Sequence, residues 1–263
     1  MSVLLSWNVA GRVRSVPEQA RAIAQRPADL VALQEVRVTA LPAWREALGA
    51  LGYEHIAATL VDAGPRPPER RLGVLVAARG PIEPLAPLDL PWPERHLAVR
   101  TPLDGEEVEL HVLHAPISSR AGQVKVVTLE TVYAALAPPS STPRILTGDL
   151  NTPQYESREG EVQSFARTRS GRIRPTHGER HDAAELGLVV GLLNHGYADA
   201  FRVLHGYGRR DRSWLYPHGK MGYRLDHVIV RDLVPTACEY EHAWRDAGLS
   251  DHAAIWAALR PAG

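Results

Sequence analysis

The chain has 263 residues, at the upper end of one domain and enough for a substantial core, and its 30 basic residues balance its 30 acidic ones, so no global positive field marks it as a nucleic-acid binder. Its one cysteine, Cys238, excludes an intramolecular disulfide or a multi-cysteine metal site and reads as a small buried apolar residue, while Lys125 and Lys220 are the only lysines, a bias that discounts any single arginine as a phosphate signal. No basic segment precedes the apolar amino terminus and no apolar run approaches membrane-spanning length, so a cytoplasmic protein of one domain is expected, away from membranes and with no obligate protein partner implied.

Residues 3–9 form an apolar strand that runs into Asn8. An asparagine there is placed to offer its oxygen to a metal, although a plain strand-terminating turn fits the local sequence as well. Ser15, Pro17 and Glu18 read as a capping box opening a helix over residues 17–26. Residues 29–36 repeat the first design, an apolar strand ending in Gln34 and Glu35, and sequential strands are usually neighbours. A helix over 41–51, closed by Gly52, precedes strands at 53–60 and 72–78, and the proline-rich stretch 81–93 suits only an edge or a loop. Strands at 96–100 and 108–114 pair through a turn at Asp104-Gly105, and the second ends in His114.

Residues 120–137 are helix-like, with apolar positions at Val124, Val127, Leu129, Val132 and Leu136. The strand that follows ends in Thr147-Gly148-Asp149-Leu150-Asn151. Spacing of two puts Asp149 and Asn151 on one face of an extended strand end, a carboxylate and an amide aimed at one point; such a pair suits metal-assisted attack on phosphorus, and ordinary turn chemistry is the competing account. An arginine-rich loop covers 152–182, a helix capped by Asp182 covers 183–195, and further strands are expected at 223–230 and 236–244. The turn Ser250-Asp251-His252 feeds the closing strand.

Asn8, Glu35, His114, Asp149, Asn151, Asp226, Asp251 and His252 thus all fall at strand ends or in adjoining loops. This order, from Trp7-Asn8 to Ser250-Asp251-His252, resembles the endonuclease/exonuclease/phosphatase superfamily, which includes DNase I, AP endonucleases, sphingomyelinases and inositol-phosphate 5-phosphatases. The resemblance implies an α/β fold of the DNase I-like kind, a two-sheet sandwich with helices on the outer faces and the site at one rim. It implies that Asn8, Glu35 and Asp251 bind the metal, that Asp149 and Asn151 position water and phosphate, and that Asp226 pairs with His252; His114 joins the catalytic candidates. Oxygen and amide donors favour Mg²⁺ or Mn²⁺ over zinc. His114-Ala115-Pro116-Ile117 departs from the AP-endonuclease Tyr-x-Pro-Asn and looks more like DNase I and the phosphatases, whereas Asp199-Ala200-Phe201-Arg202, Ser213-Trp214 and Tyr223-Arg224-Leu225-Asp226 look like AP endonucleases. The leading expectation is a metal-dependent nuclease, DNA its favoured substrate, with Arg202, Trp214, Arg224 and arginines of the 152–182 loop on the substrate. The alternative is a phosphatase or phosphodiesterase for a small or lipid ester.

Overall fold

A computed structural model describes residues 1–62, 64–117, 122–216 and 221–262. The strands are β1 (Ser2–Asn8), β2 (Leu30–Arg37), β3 (His55–Ala58), β4 (Leu72–Ala78), β5 (Glu83–Pro84), β6 (His96–Leu103), β7 (Glu106–His114), β8 (Arg144–Asp149), β9 (Tyr155–Glu156), β10 (Val162–Gln163), β11 (Tyr197–Asp199), β12 (Trp214–Leu215), β13 (Gly222–Tyr223), β14 (Asp226–Arg231), β15 (Leu233–Glu241) and β16 (Ala254–Pro261). The helices are α1 (Val16–Ala24), α2 (Leu41–Ala50), α3 (Gln123–Leu136), α4 (Gly178–Val189), α5 (Ala200–His205) and α6 (His242–Asp246).

Two six-stranded sheets result, ordered β15-β16-β1-β2-β4-β3 and β11-β14-β8-β7-β6-β5. Each contains one parallel pair, β1 with β2 and β7 with β8, joined by a helical crossover. The nearly unbroken apolar strands follow from burial on both faces. Leu4, Val76, Leu110, Ile145, Val228 and Ile255 fill the space between the sheets, and Cys238 is buried there too. Leu5, Trp7 and Leu33 instead point outward to Ile23 and Trp44 of α1 and α2, and Leu113 and Leu146 point to Leu129 and Leu188 of α3 and α4. Adjacent residues such as Leu4 and Leu5 therefore serve different cores, as period-2 alternation requires. The result is the α/β two-sheet sandwich that the resemblance implies.

The Asp104-Gly105 turn is as expected, with both residues left-handed at φ +54° and +88° between paired Leu103 and Glu106, the backbone of a type I′ hairpin. Other boundaries move for physical reasons. Ser15 makes no side-chain cap, and Glu18 pairs with Arg21 instead of closing a capping box. Asp182 does not cap its helix: α4 begins four residues earlier, and the carboxylate is taken by Arg167 and Ser164. The first residues of the expected 120–137 helix lie outside the described residues; α3 begins at Gln123. Helix α6 ends what reads as one long strand over 236–244.

One position controls the rim. Gly148 has φ +124°, and a Cβ there would stand 2.1 Å from the carbonyl oxygen of Leu113 on β7. No bulkier residue allows β8 to lie against β7 in the register that sets Asp149 beside His114. Gly148→Ala is therefore expected to cost on the order of 3 kcal/mol, from overpacking and an unfavourable φ together. The control is Gly105→Asn, at a turn where a Cβ meets nothing within 4 Å and asparagine tolerates the left-handed region. Thermal unfolding of the two variants checks this, and equal melting temperatures would contradict it.

Candidate active site

The ends of β1, β2, β7, β8 and β14 and the turn before β16 meet at one rim. Pairing fixes the meeting: Asn8 lies opposite Gln34, His114 opposite Asp149, and Asp149 opposite Asp226. Glu35 sits at a bulge between β2 and β4, with φ +59°, which turns its side chain out of the alternation that would otherwise send it to a sheet face. A non-glycine residue in that region costs roughly 1–3 kcal/mol, a strain borne by the paired strands around it.

The amide of Asn8 bridges two carboxylates. Its Nδ2 donates to Glu35 Oε1 at 3.2 Å and to Asp149 Oδ2 at 3.0 Å, while Oδ1 accepts from the backbone N–H of Ala10. Turning this amide over about its terminal torsion would present Oδ1 to the same point. Asp149 Oδ1 accepts the backbone N–H of Asn151 at 2.9 Å, an Asx turn, and Asn151 Nδ2 donates to Ala115 O at 2.7 Å. The turn chemistry and the placement of both side chains are thus one arrangement.

His252 lies between two acids, its Nδ1 at 2.8 Å from Asp226 Oδ2 and its Nε2 at 3.7 Å from Asp149 Oδ2. Burial disfavours the imidazolium, but the carboxylates of Asp226 and Asp149 outweigh it and carry the pKa up to about 10. Burial acts the other way on Asp149: with help from the charges of Asp226 and Glu35, and against the pull of His252, it holds this carboxyl well above its ordinary range. The turn carrying His252 is tied to β1, since Ser250 Oγ donates to Asn8 O and Trp7 Nε1 donates to His252 O.

His114 is the neutral histidine of the rim. Burial lowers its pKa most, and the cations Arg95 and His252 lower it further. Arg95 Nη1 lies against both of its ring nitrogens, and Nε2 is 3.4 Å from Glu35 Oε1. Arg95 comes from the proline-rich 81–93 passage and its short extension, where no periodicity signalled a buried guanidinium. Lys125 is the second residue that sequence reading missed. It is 1% exposed on α3, donates to Asn151 O at 2.8 Å and pairs with Glu185 Oε1 at 2.5 Å. Glu185 is itself buried, yet bonds from His181 and Lys125 hold its carboxyl at about 2.

Glu35, Asp149, Asn151, Asp251, His252 and Trp214 line one cavity of about 760 Å³. Asp251 is exposed there and accepts from Trp214 Nε1 at 3.2 Å. Arg224 and Arg202 are not brought to this cavity. Arg224 is buried and bonded to Glu156 at 2.7 and 2.8 Å and to Asp199 at 2.8 Å, and Arg202 grips the same Glu156 at 2.6 and 3.1 Å. Their carboxylate partners already neutralise them, so the structure places both in the scaffold behind the site.

Solved structures share this fold. The chain is similar to an AP endonuclease from Archaeoglobus fulgidus, at 18% identity and TM-score 0.73 over 98% of this chain and 99% of that one. It is also similar to the 3′ phosphatase NExo from Neisseria, at 20% identity and TM-score 0.66 over 99% and 100%, and to a humanized D. rerio TDP2, at 16% identity and TM-score 0.67 over 98% of each. No curated protein sequence matches it. The sequence profile of the Endonuclease/Exonuclease/phosphatase family matches residues 5–252, so the chain belongs to that family.

Proposed function

We propose that the protein is a divalent-metal-dependent phosphodiesterase that hydrolyses nucleic-acid backbones. The observation that carries this reading is the single cavity in which an imidazolium held by Asp226 faces Asp149, itself two residues from Asn151 and linked through the Asn8 amide to Glu35. Relatives point the same way, since one similar structure is of TDP2 complexed with single strand DNA product and another of NExo bound to a product DNA hairpin.

The donor set fits a hard cation. One amide nitrogen already lies within 3.2 Å of oxygens from both Glu35 and Asp149, so a cation there would meet two carboxylates at once, with Asn8 Oδ1 and Asp251 as further oxygen donors. Asp149, Asp226 and His252 also place ligand atoms within 4.8 Å of one another. However, His252 is charged and its Nδ1 is committed to Asp226, which makes it a proton donor and leaves the cation to the Glu35 side. When bound, Mg²⁺ or Mn²⁺ supplies Lewis-acid stabilisation of charge on a phosphoryl oxygen. His252 Nε2 would donate to a phosphoryl oxygen while Asp226 keeps the ring charged and oriented; Asp149 would take a proton from the water that Asn151 holds in line as its oxygen bonds to phosphorus, and the P–O bond opposite breaks, the departing oxygen taking its proton from solvent.

A panel of single- and double-stranded DNA, RNA, an abasic duplex and small phosphate esters, each with Mg²⁺, tests the substrate class. Turnover confined to the small esters would overturn the nuclease reading. Activity is expected to vanish in EDTA and return with Mg²⁺ or Mn²⁺, and Glu35→Gln should weaken the metal by about tenfold or more, because a ligand charge goes while size stays. Full turnover in excess EDTA would refute the metal role.

His252→Ala is expected to lower kcat by ~10² to 10⁴-fold, the range for losing a proton-transfer group. Asp226→Asn should lower it less, and the double variant should be no worse than His252→Ala, since both residues serve one function. The sign of the pH effect follows from the raised pKa. The His252 imidazolium is charged throughout the neutral range and loses its proton as pH rises through about 10. Wild-type kcat should therefore fall on the alkaline side near pH 10, and Asp226→Asn should move that limb to lower pH. An unmoved limb in Asp226→Asn would show that the pair does not set the proton.

A further inference from the structure

The lining of the cavity carries carboxylates and guanidiniums on different elements. Glu35, Asp149 and Asp251 supply the carboxylates, and Arg169 and Arg174 stand on the wall built by residues 164–177. That wall is a constructed hairpin. Arg167 and Ile173 pair as an isolated bridge, Thr168 N donates to Arg172 O and Arg174 N to Ala166 O, both at 2.8 Å, and Arg167 clamps Asp182 at 2.6 and 2.7 Å. Arg174 Nε donates to Arg167 O at 3.0 Å, which fixes the side chain, and the outer nitrogens of its fork have no hydrogen-bond partner among the described residues.

Several neighbouring cations are neutralised, Arg167 by Asp182, Arg180 by Glu130, Arg202 and Arg224 by Glu156, and Lys125 by Glu185. Arg169 and Arg174 form no ion pair with a carboxylate among the described residues, and both act on the hydroxyl of Tyr223, which also lines the cavity. Two guanidiniums without carboxylate partners beside one open cavity attract an anion, and the planar fork suits phosphate. The volume of about 760 Å³ lies inside the ~300–1,000 Å³ typical of ligand sites, large enough for a nucleotide with more than one phosphate.

We propose that Arg169 and Arg174 form a second anion subsite, which takes the phosphate neighbouring the one cleaved beside the carboxylates. The inference rests on the phosphodiesterase reading for the identity of that first phosphate. It names the substrate as a nucleotide chain with two adjacent phosphates, the second being either an internal diester of a longer strand or a terminal monoester.

The test is calorimetric titration in Ca²⁺, chosen to leave the nucleotides intact, with thymidine 3′,5′-bisphosphate and the two thymidine monophosphates. The bisphosphate is expected to bind the wild type about tenfold tighter or more, the worth of one charge-assisted contact, and Arg169→Gln/Arg174→Gln should erase the preference. Each single substitution should also flatten the salt dependence of binding by about one charge. Trinucleotides with and without a terminal phosphate separate the sources: tighter binding only with the terminal group assigns the subsite to strand ends, and equal binding assigns it to the internal diester. Circular dichroism checks folding, and Arg169→Gln, at an exposed position, serves alone if the double variant is unfolded. Absence of the bisphosphate preference in the wild type, or its survival in the variants, would overturn the subsite. The function reading fails separately, if the wild type with Mg²⁺ cleaves no polynucleotide while the bisphosphate preference stands.

Discussion

Asp149 and Asp226 face each other across antiparallel strands, both almost wholly buried, and their repulsion is the constraint that the rest of the rim answers. Two like charges a few ångströms apart repel by roughly 4 kcal/mol at the effective dielectric of a protein surface, and by more in a drier site. A single imidazolium meets this by lying between them, bonded to one acid and close to the other. Its charge is a consequence of the acids, and burial, with the repulsion of Asp226 added, keeps the pKa of Asp149 raised. A second buried cation, Arg95, stands behind His114 and keeps that ring neutral while the first keeps its proton. Two histidines of one rim thereby take opposite charge states from their surroundings alone.

The turn after β8 is held just as firmly, from two sides. On one, Lys125 bonds the carbonyl of Asn151, and Glu185 collects Lys125, the hydroxyl of Thr152 and the backbone N–H of Phe165. On the other, His227 lies 2.9 Å from Thr152 O and 3.2 Å from Asp199, which belongs with Arg224, Glu156 and Arg202 to one buried ionic network. Buried ion pairs give little net stability over apolar residues of the same volume, yet losing one partner costs about 3–5 kcal/mol. Their benefit here is geometric, because a backbone gripped at Asn151 and Thr152 cannot shift the side chains that the chemistry uses.

The strand ends of the site were legible in the sequence because apolar runs stop again and again at polar groups, at Asn8, Glu35, His114 and Asp149, each open to a plain turn reading alone but together matching one family order, and because Asp104-Gly105 announces a hairpin through backbone needs that only certain residues meet. The partners were not legible. Arg95 and Lys125 become buried cations through contacts with residues 19 and 60 positions away, and local pattern carries no trace of such pairings. Arg202 and Arg224 sat in motifs that suggested substrate contact, and only the placement of Glu156 and Asp199 shows that their charge is already spent within the fold. Asp182 failed as a cap for the same reason, since a long-range partner, Arg167, outbid the local helix N-terminus.

Neutral net charge and a phosphate-handling site are compatible because charge is sorted by distance and not by sum. Many guanidiniums here, among them Arg167, Arg180, Arg209 and Arg224, are locked to carboxylates within about 3 Å and are nearly invisible a Debye length away, roughly 8 Å at physiological ionic strength. What an approaching polyanion meets is the unbalanced remainder lining the cavity, acids that call for a cation and, on a different element, guanidiniums that call for phosphate. On the proposed reading, a substrate aligned by that division would reach the rim with its scissile group toward Asp149 and His252, so orientation would come from charges left unpaired beside the cavity.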